Sequence, residues 1–213
     1  MSSDWPSLQI LDAADDVARA EYERAFYAAF VRVTSNRLIR TLWAWDEARG
    51  RLATRVPYAD QRIYIQRDAD GAIASAIGVN VAMRQLQSSA FGFSLPTTDA
   101  QADTCEFVTF FAVDDDRALA PRLQLFEGVF RDLHAQGLRS AYASTARRPL
   151  PIYRRIGGSV VADTRVDGED RFFLRFSLDR HWMRGRAHRD LKRLVGSPGS
   201  PTDAYWMKVT APP

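Results

Sequence analysis

The sequence predicts an α/β domain with a mixed, mostly antiparallel sheet flanked by helices. Three observations carry this. Short apolar or alternating runs recur as strands at 62–66, 72–83, 105–113, 139–144, 159–164 and 171–178. Apolar residues at helical spacing mark helices before and between them. The segment 105–144 reads strand–helix–strand, which needs a right-handed crossover and parallel neighbours, while flanking hairpins supply antiparallel strands.

Each element has a local reason. Asp16–Phe30 carries Val17, Ala20, Tyr22, Ala25, Phe26, Ala29 and Phe30 on a helical period, with Asp15 or Asp16 as N-cap. A second helix is expected from Ser35 to Ala48, through Leu38, Ile39, Leu42, Trp43 and Trp45, with Gly50 as its stop. Arg62–Gln66 alternates as a strand, Asp68-Ala69-Asp70-Gly71 is a turn, and Ala72–Met83 completes a hairpin. Ser75, Gly78 and Asn80 are unusual within a strand and suggest a bulge or a ligand-facing side. Gln85–Thr104 is a long, weakly patterned loop, a length that points to function. Cys105–Val113 is continuously apolar and reads as a strand buried on both faces. Leu119–Gln136 is the clearest amphipathic helix, closed by Gly137. A strand at Arg139–Ser144, a short helix at Leu150–Ile156 and strands at Ser159–Thr164 and Arg171–Leu178 finish the core. Residues 1–180 form the domain and 181–213 a basic C-terminal extension with a flexible Ser197–Pro201 stretch.

The composition excludes several classes. With 213 residues, the chain can bury a core without disulfides or metals. Cys105 is the lone cysteine and the three histidines are scattered, so no metal ligand set is expected. No basic, apolar leader opens the sequence and no apolar run is long enough to span a membrane, which leads us to expect a cytoplasmic protein. Net charge is +3, but Arg139–Arg193 carries +8 and the remainder −5. Such a basic third is either a solvated arginine-rich face or a surface for an anionic partner such as a phosphate group, an acidic carrier protein or nucleic acid. Nucleic acid is the weakest of these, because no recognition motif is present.

The order of elements from Ile63 to Leu178 resembles the GNAT acyltransferase fold. The residues that carry the resemblance are the central strand Cys105–Val113, the following helix, the strand Arg139–Ser144, and Tyr153-Arg154-Arg155-Ile156-Gly157, a Tyr-x-x-x-Gly pattern. Within that superfamily the chain is similar to the autoinducer synthase and N-acyl amino acid synthase branch. Tyr64-Ile65, Asp70-Gly71, the 85–104 loop and Glu106-Phe107-Val108-Thr109-Phe110-Phe111-Ala112-Val113 match its pattern. It departs where that branch has arginines, at Thr109 and near Asn80, which puts homoserine-lactone formation in doubt. It also lacks the glycine-rich pyrophosphate loop of coenzyme A users. Asp114-Asp115-Asp116-Arg117-Ala118-Leu119-Ala120-Pro121 stands there, with three carboxylates that repel a pyrophosphate or simply cap a helix.

The resemblance implies amide formation from a phosphopantetheine thioester. This requires loss of an amine proton, a donor for the thioester oxygen and an acid for the departing thiolate. Glu106, a carboxylate in an apolar strand, is the expected base, or else half of a structural ion pair with Arg84 or Arg139. Tyr153 matches the tyrosine that faces the thiolate, or else is a core aromatic. Phe111, Val113, Arg147, Arg148, Arg154 and Arg155 are expected on the donor side, since arginine suits phosphate. Asn80 and Arg84 are expected to hold the acceptor. Cys105 is expected to be inert. No tightly bound cofactor is expected; acyl-phosphopantetheine is the donor substrate. The expected function is N-acyl transfer from acyl carrier protein to an amino acid or related small-molecule amine. An acyl-coenzyme A-dependent N-acyltransferase and a catalytically inactive binding module are the alternatives.

Overall fold

A computed structural model describes residues 8–33, 37–97, 101–113 and 119–178. Its centre is a seven-stranded sheet in the order β1-β4-β5-β6-β7-β9-β8. The strands are β1 (Gln9–Ile10), β4 (Gln61–Arg67), β5 (Ile73–Asn80), β6 (Thr104–Ala112), β7 (Ser140–Ala146), β8 (Ser159–Val166) and β9 (Glu169–Ser177). Only β6 and β7 run parallel, as the helix α3 (Leu119–Ala135) between them requires. The fold class and the order of the main elements agree with the sequence-based expectation.

Strand periodicity sorts side chains into two cores. Tyr64 joins one with Cys105, Leu125, Val129 and Phe176, under α3 and α4 (Leu150–Arg155). Its neighbours Ile63 and Ile65 join the other with Phe26, Trp43, Phe111 and Phe173, under α1 (Asp16–Phe30) and α2 (Ile39–Leu42). A period of two along a central strand makes this division obligatory. Asp15 caps α1 by accepting from Val17 N at 2.8 Å.

One expected helix is corrected. The chain from Ile39 is helical only to Leu42, and Ala44–Asp46 (β2) pairs with Arg51–Ala53 (β3) as a separate two-stranded ribbon. Gly50, at φ +59°, closes the turn of this ribbon rather than stopping a helix. The cause is tertiary: Trp43 leaves the helix to pack its ring 4.8 Å from Phe26 and 4.7 Å from Phe30. The helix start expected at Ser35 lies outside the described residues. So do the Asp114–Asp116 run and the basic extension at 181–213.

The geometry that matters is in the middle of the sheet. The β6–β7 ladder runs from Thr104↔Ser140 to Phe107↔Ala143 and stops. Yet β6 continues against β5 to Ser75↔Ala112, and β7 continues against β9 to Ala146↔Arg171. Beyond Phe107 the two parallel strands therefore diverge. A bulge sits at the same point: Gly78 pairs with Thr109 and Val79 with Phe107, leaving Val108 as the extra residue. The irregularity expected around Gly78 is thus present, with its extra residue on the facing strand.

Candidate active site at the strand divergence

A cavity of about 230 Å³ occupies the gap between β6 and β7. It crosses the sheet. Ile77, Phe126 and Ala143 reach it from the core under α3, and Ile39, Trp43 and Phe111 from the core under α1 and α2. A sheet passes a cavity only where a ladder is broken, and the broken ladder here is β6–β7. The wall is mainly apolar, with Gln87, Thr109, Ser144, Thr145, Arg148, Tyr153 and Arg171 as its polar members.

Of the expected site residues, Phe111, Arg148 and Tyr153 lie on this wall. Phe111 is buried and stacks on Phe26, with centroids 5.2 Å apart. Tyr153 is half-buried and meets Phe176 edge-on at 6.4 Å. It is held there by the turn after α4, where Gly158 is indispensable: an added Cβ would lie 2.9 Å from the Phe176 ring and from the Tyr153 carbonyl. Val113 is exposed, its amide donating to Ala74 O. Arg147 pairs with Asp170 at 2.7 Å off the cavity. Arg154 is exposed, and the Arg155 side chain lies outside what is described.

Glu106 is 1% exposed and stands behind the wall. It accepts from Gln87 N at 2.7 Å, from Ser88 N at 2.8 Å, and from the Ser88 hydroxyl. Burial pushes its carboxyl above the usual range, against the pull of hydrogen bonds from Ser88, Gln87 and Asn80. The alternative of an ion pair does not describe it. Arg84 reaches Asp60 at 3.4 Å, and Arg139 reaches Asp103 at 3.9 Å. The carboxylate instead fastens the long 85–104 connection, whose Gln87–Phe91 turn folds onto the sheet. Asn80 is fully buried; its side chain donates to Gln85 O, accepts from Met83 N and also bonds Glu106. Arg84 is 79% exposed, and neither residue lines the cavity. Cys105 is buried, and burial raises its thiol well above the ordinary value.

Sequence reasoning missed Gln87, Trp43 and Arg171. Gln87 donates from Nε2 to Val108 O at 2.7 Å, so its Oε1 is the atom left buried without a partner. A carbonyl only accepts, which fixes that orientation of the amide. Anchoring by Glu106, together with the Asn80 bond to Gln85 O, brings this loop residue to the bulge. Thr109 is a point of departure from the resembled pattern. It bridges α1 to the bulge, accepting from Gly78 N at 3.0 Å and bonding the Tyr22 hydroxyl at 3.1 Å.

No protein-family model matches the chain, and no curated protein does either. Solved structures do. A CoA-dependent acyl-homoserine lactone synthase, BjaI, determined with SAM and isopentyl-CoA, aligns over 91% of this chain and 92% of its own, at TM-score 0.65 and 17% identity. The acyl-homoserine lactone synthase LasI covers 83% and 92%, at 0.63 and 10%.

The chain has the fold of the acyl-homoserine lactone synthases.

That fold is the GNAT fold expected from the sequence, in its autoinducer synthase form. The ribosomal-protein-S18-alanine N-acetyltransferase of Escherichia coli aligns less closely, over 81% and 94% of the two chains at TM-score 0.52 and 13% identity. No helix among the described residues is long and apolar enough to cross a membrane.

Proposed function

We propose that the chain is an N-acyltransferase that takes an acyl group from a phosphopantetheine thioester and delivers it to the amine of an amino acid or related small molecule. The observation that carries this is the cavity at the β6–β7 divergence, apolar for most of its wall and with Tyr153 beside it. An acyl chain fills the apolar part. The amine nitrogen attacks the thioester carbonyl carbon; the C–N bond forms, the C–S bond breaks, a base takes the amine proton, and the thiolate is protonated. The divergence frees β6 from its ladder with β7, which supports backbone stabilisation of the developing oxyanion there. Tyr153 donates to the thiolate. Glu106 is the base through one intervening water, because it does not line the cavity while Gln87, whose amide it binds, does.

Acyl carrier protein is the favoured carrier, since Asp114–Asp116 opposes a pyrophosphate. Coenzyme A is the second reading, favoured by the likeness to BjaI, which is described as CoA-dependent. The test is mass-spectrometric detection of N-acylated products from purified protein, with matched acyl-carrier and acyl-coenzyme A donors against pooled amino acids. Product is expected, and Tyr153→Phe is expected to lower kcat by roughly 10²-fold or more, the lower end of acid–base effects, with donor KM unchanged. Absence of product with every pairing would return the chain to the alternative of an inactive binding module.

A further inference from the structure

Among the described residues, Gln87 is the one member of the 85–104 connection on the cavity wall. It is 8% exposed. Its main-chain N–H is spent on Glu106, at 2.7 Å. Its side-chain amide bonds a second wall residue, the bulged Val108, with Nε2 donating to the carbonyl at 2.7 Å. The remaining atom of that amide, Oε1, sits on the same carbon as Nε2 and so lies beside this contact. It is buried and has no hydrogen-bond partner. The nearest polar neighbours in the chain are committed elsewhere: Ser88 gives its hydroxyl to Glu106, and Asn80 its amide to Gln85 O.

A buried carbonyl oxygen without a donor is destabilising, and native interiors hold few of them. One kept on the wall of a cavity suits a ligand that brings the donor with it. An alkyl chain brings none. The N–H groups in the proposed reaction belong to the attacking amine and to the amides of the pantetheine arm. The two faces of the sheet separate these. Phe91, on the same turn as Gln87, joins the core under α1 and α2, whereas Tyr153 packs on the core under α3 and α4.

We infer that Gln87 is a catalytic residue that holds the attacking amine, its Oε1 accepting a hydrogen bond from the substrate N–H, so that the protein selects primary amines. This rests on the acyl-transfer reading for the identity of the amine and on the cavity alone for N–H binding. The departing sulfur is then on the side of Tyr153 and the amine on the side of Gln87, whose own N–H ties it to Glu106. A neutral primary amine has two N–H groups. One stays on Oε1. The other gives its proton to the base as the nitrogen lone pair forms the C–N bond. Nitrogen becomes positive in that step, which strengthens its bond to Oε1. A secondary amine has a single N–H and must forgo one of the two contacts.

Calorimetric binding of N-hexylacetamide and hexyl acetate, which differ by an N–H in place of an oxygen, tests the site in the full chain without catalysis. Wild type is expected to bind the amide about fivefold more tightly or better, the net scale of one hydrogen bond. Gln87→Met should bring the two within about twofold. Gln136→Met, exposed and off the cavity, should leave the preference in place. Equal affinities in wild type, a comparison that needs no variant to fold, would overturn the inference. So would no binding of either probe, or a preference that survives Gln87→Met. Turnover with an octanoyl thioester tests the amine itself. Wild type should favour glycine over N-methylglycine by about tenfold or more in kcat/KM, since a site built to accept an N–H rejects the analogue that cannot supply it. Gln87→Met should lower kcat for glycine and narrow that ratio. A raised donor KM with the ratio unchanged would give the N–H to the pantetheine arm and overturn the amine assignment. An N–H preference without any turnover would keep Gln87 as an N–H acceptor and remove the acyl-transfer reading; turnover without the preference would do the reverse.

Discussion

At the scale of single residues, Glu106 shows how one carboxylate organises a site it does not line. It accepts from Gln87 and Ser88, and these bonds help hold the loop that carries Gln87 to the bulge. Its raised affinity for a proton has a signed consequence. The folded state binds the proton more tightly than the unfolded state, so this residue's contribution to stability is full at pH below the ordinary glutamate value. It is lost as pH rises through the raised folded value. Glu106→Gln cannot titrate, so the stability of wild type relative to this variant should fall with rising pH across that window. Urea unfolding at several pH values measures it, and parallel curves would show that Glu106 does not titrate abnormally. The same variant separates two roles in the reaction. Loss of a base costs roughly 10²–10⁴ in rate and is partly restored at alkaline pH, where the amine is already neutral. Loss of the anchor lowers activity at all pH values.

At the scale of elements, the bulge in β6 is braced by a contact that leaves no space. A Cβ at Gly78 would lie 2.6 Å from Thr109 Oγ1 and 3.3 Å from Val108 Cγ2. Gly78→Ala should therefore destabilise the protein by about 1–3 kcal/mol, the usual cost of overpacking. Its cost should be smaller in a Thr109→Ala background, because the closest obstructing atom is then gone. Chemical denaturation of the four members of that cycle checks this, and strict additivity would mean that the two residues do not press on one another. Elements were also the level at which sequence reading was strongest. The Asp16–Phe30 helix, the 105–113 strand and the Tyr-x-x-x-Gly helix stand within a residue or two of expectation. Trp43 misled it, because an aromatic at helical spacing fits a helix face as well as it fits an exit into a ribbon. The choice was made by Phe26 and Phe30, which are distant in sequence from the turn they stabilise.

At the scale of the whole molecule, a divided parallel pair gives the sheet a passage from one core to the other. Under the proposed reaction, donor and acceptor would reach the reacting carbonyl from opposite sides. Because Asp114–Asp116 stands in the sequence where coenzyme A users carry a glycine-rich pyrophosphate loop, the same acyl chain should give higher kcat/KM on acyl carrier protein, which has no pyrophosphate, than on coenzyme A. A preference of tenfold or more for coenzyme A, measured at equal acyl length, would reverse that assignment.

The sequence by itself determined the fold class, the strand–helix–strand centre and the identity of Glu106 as an anomalous buried carboxylate. Those features are written in local periodicity and in the solvation cost of a charge within an apolar run. It also marked Phe111, Arg148 and Tyr153, because they sit in or beside recognisable elements. Only the tertiary structure decided that Glu106 binds loop amides rather than an arginine, that Asn80 and Arg84 stand off the cavity, and that Gln87 and Arg171 stand on it. These are contacts between residues far apart in the chain. They depend on where a ladder ends and how a long connection folds back, and neither has a signature in the residues that make the contact.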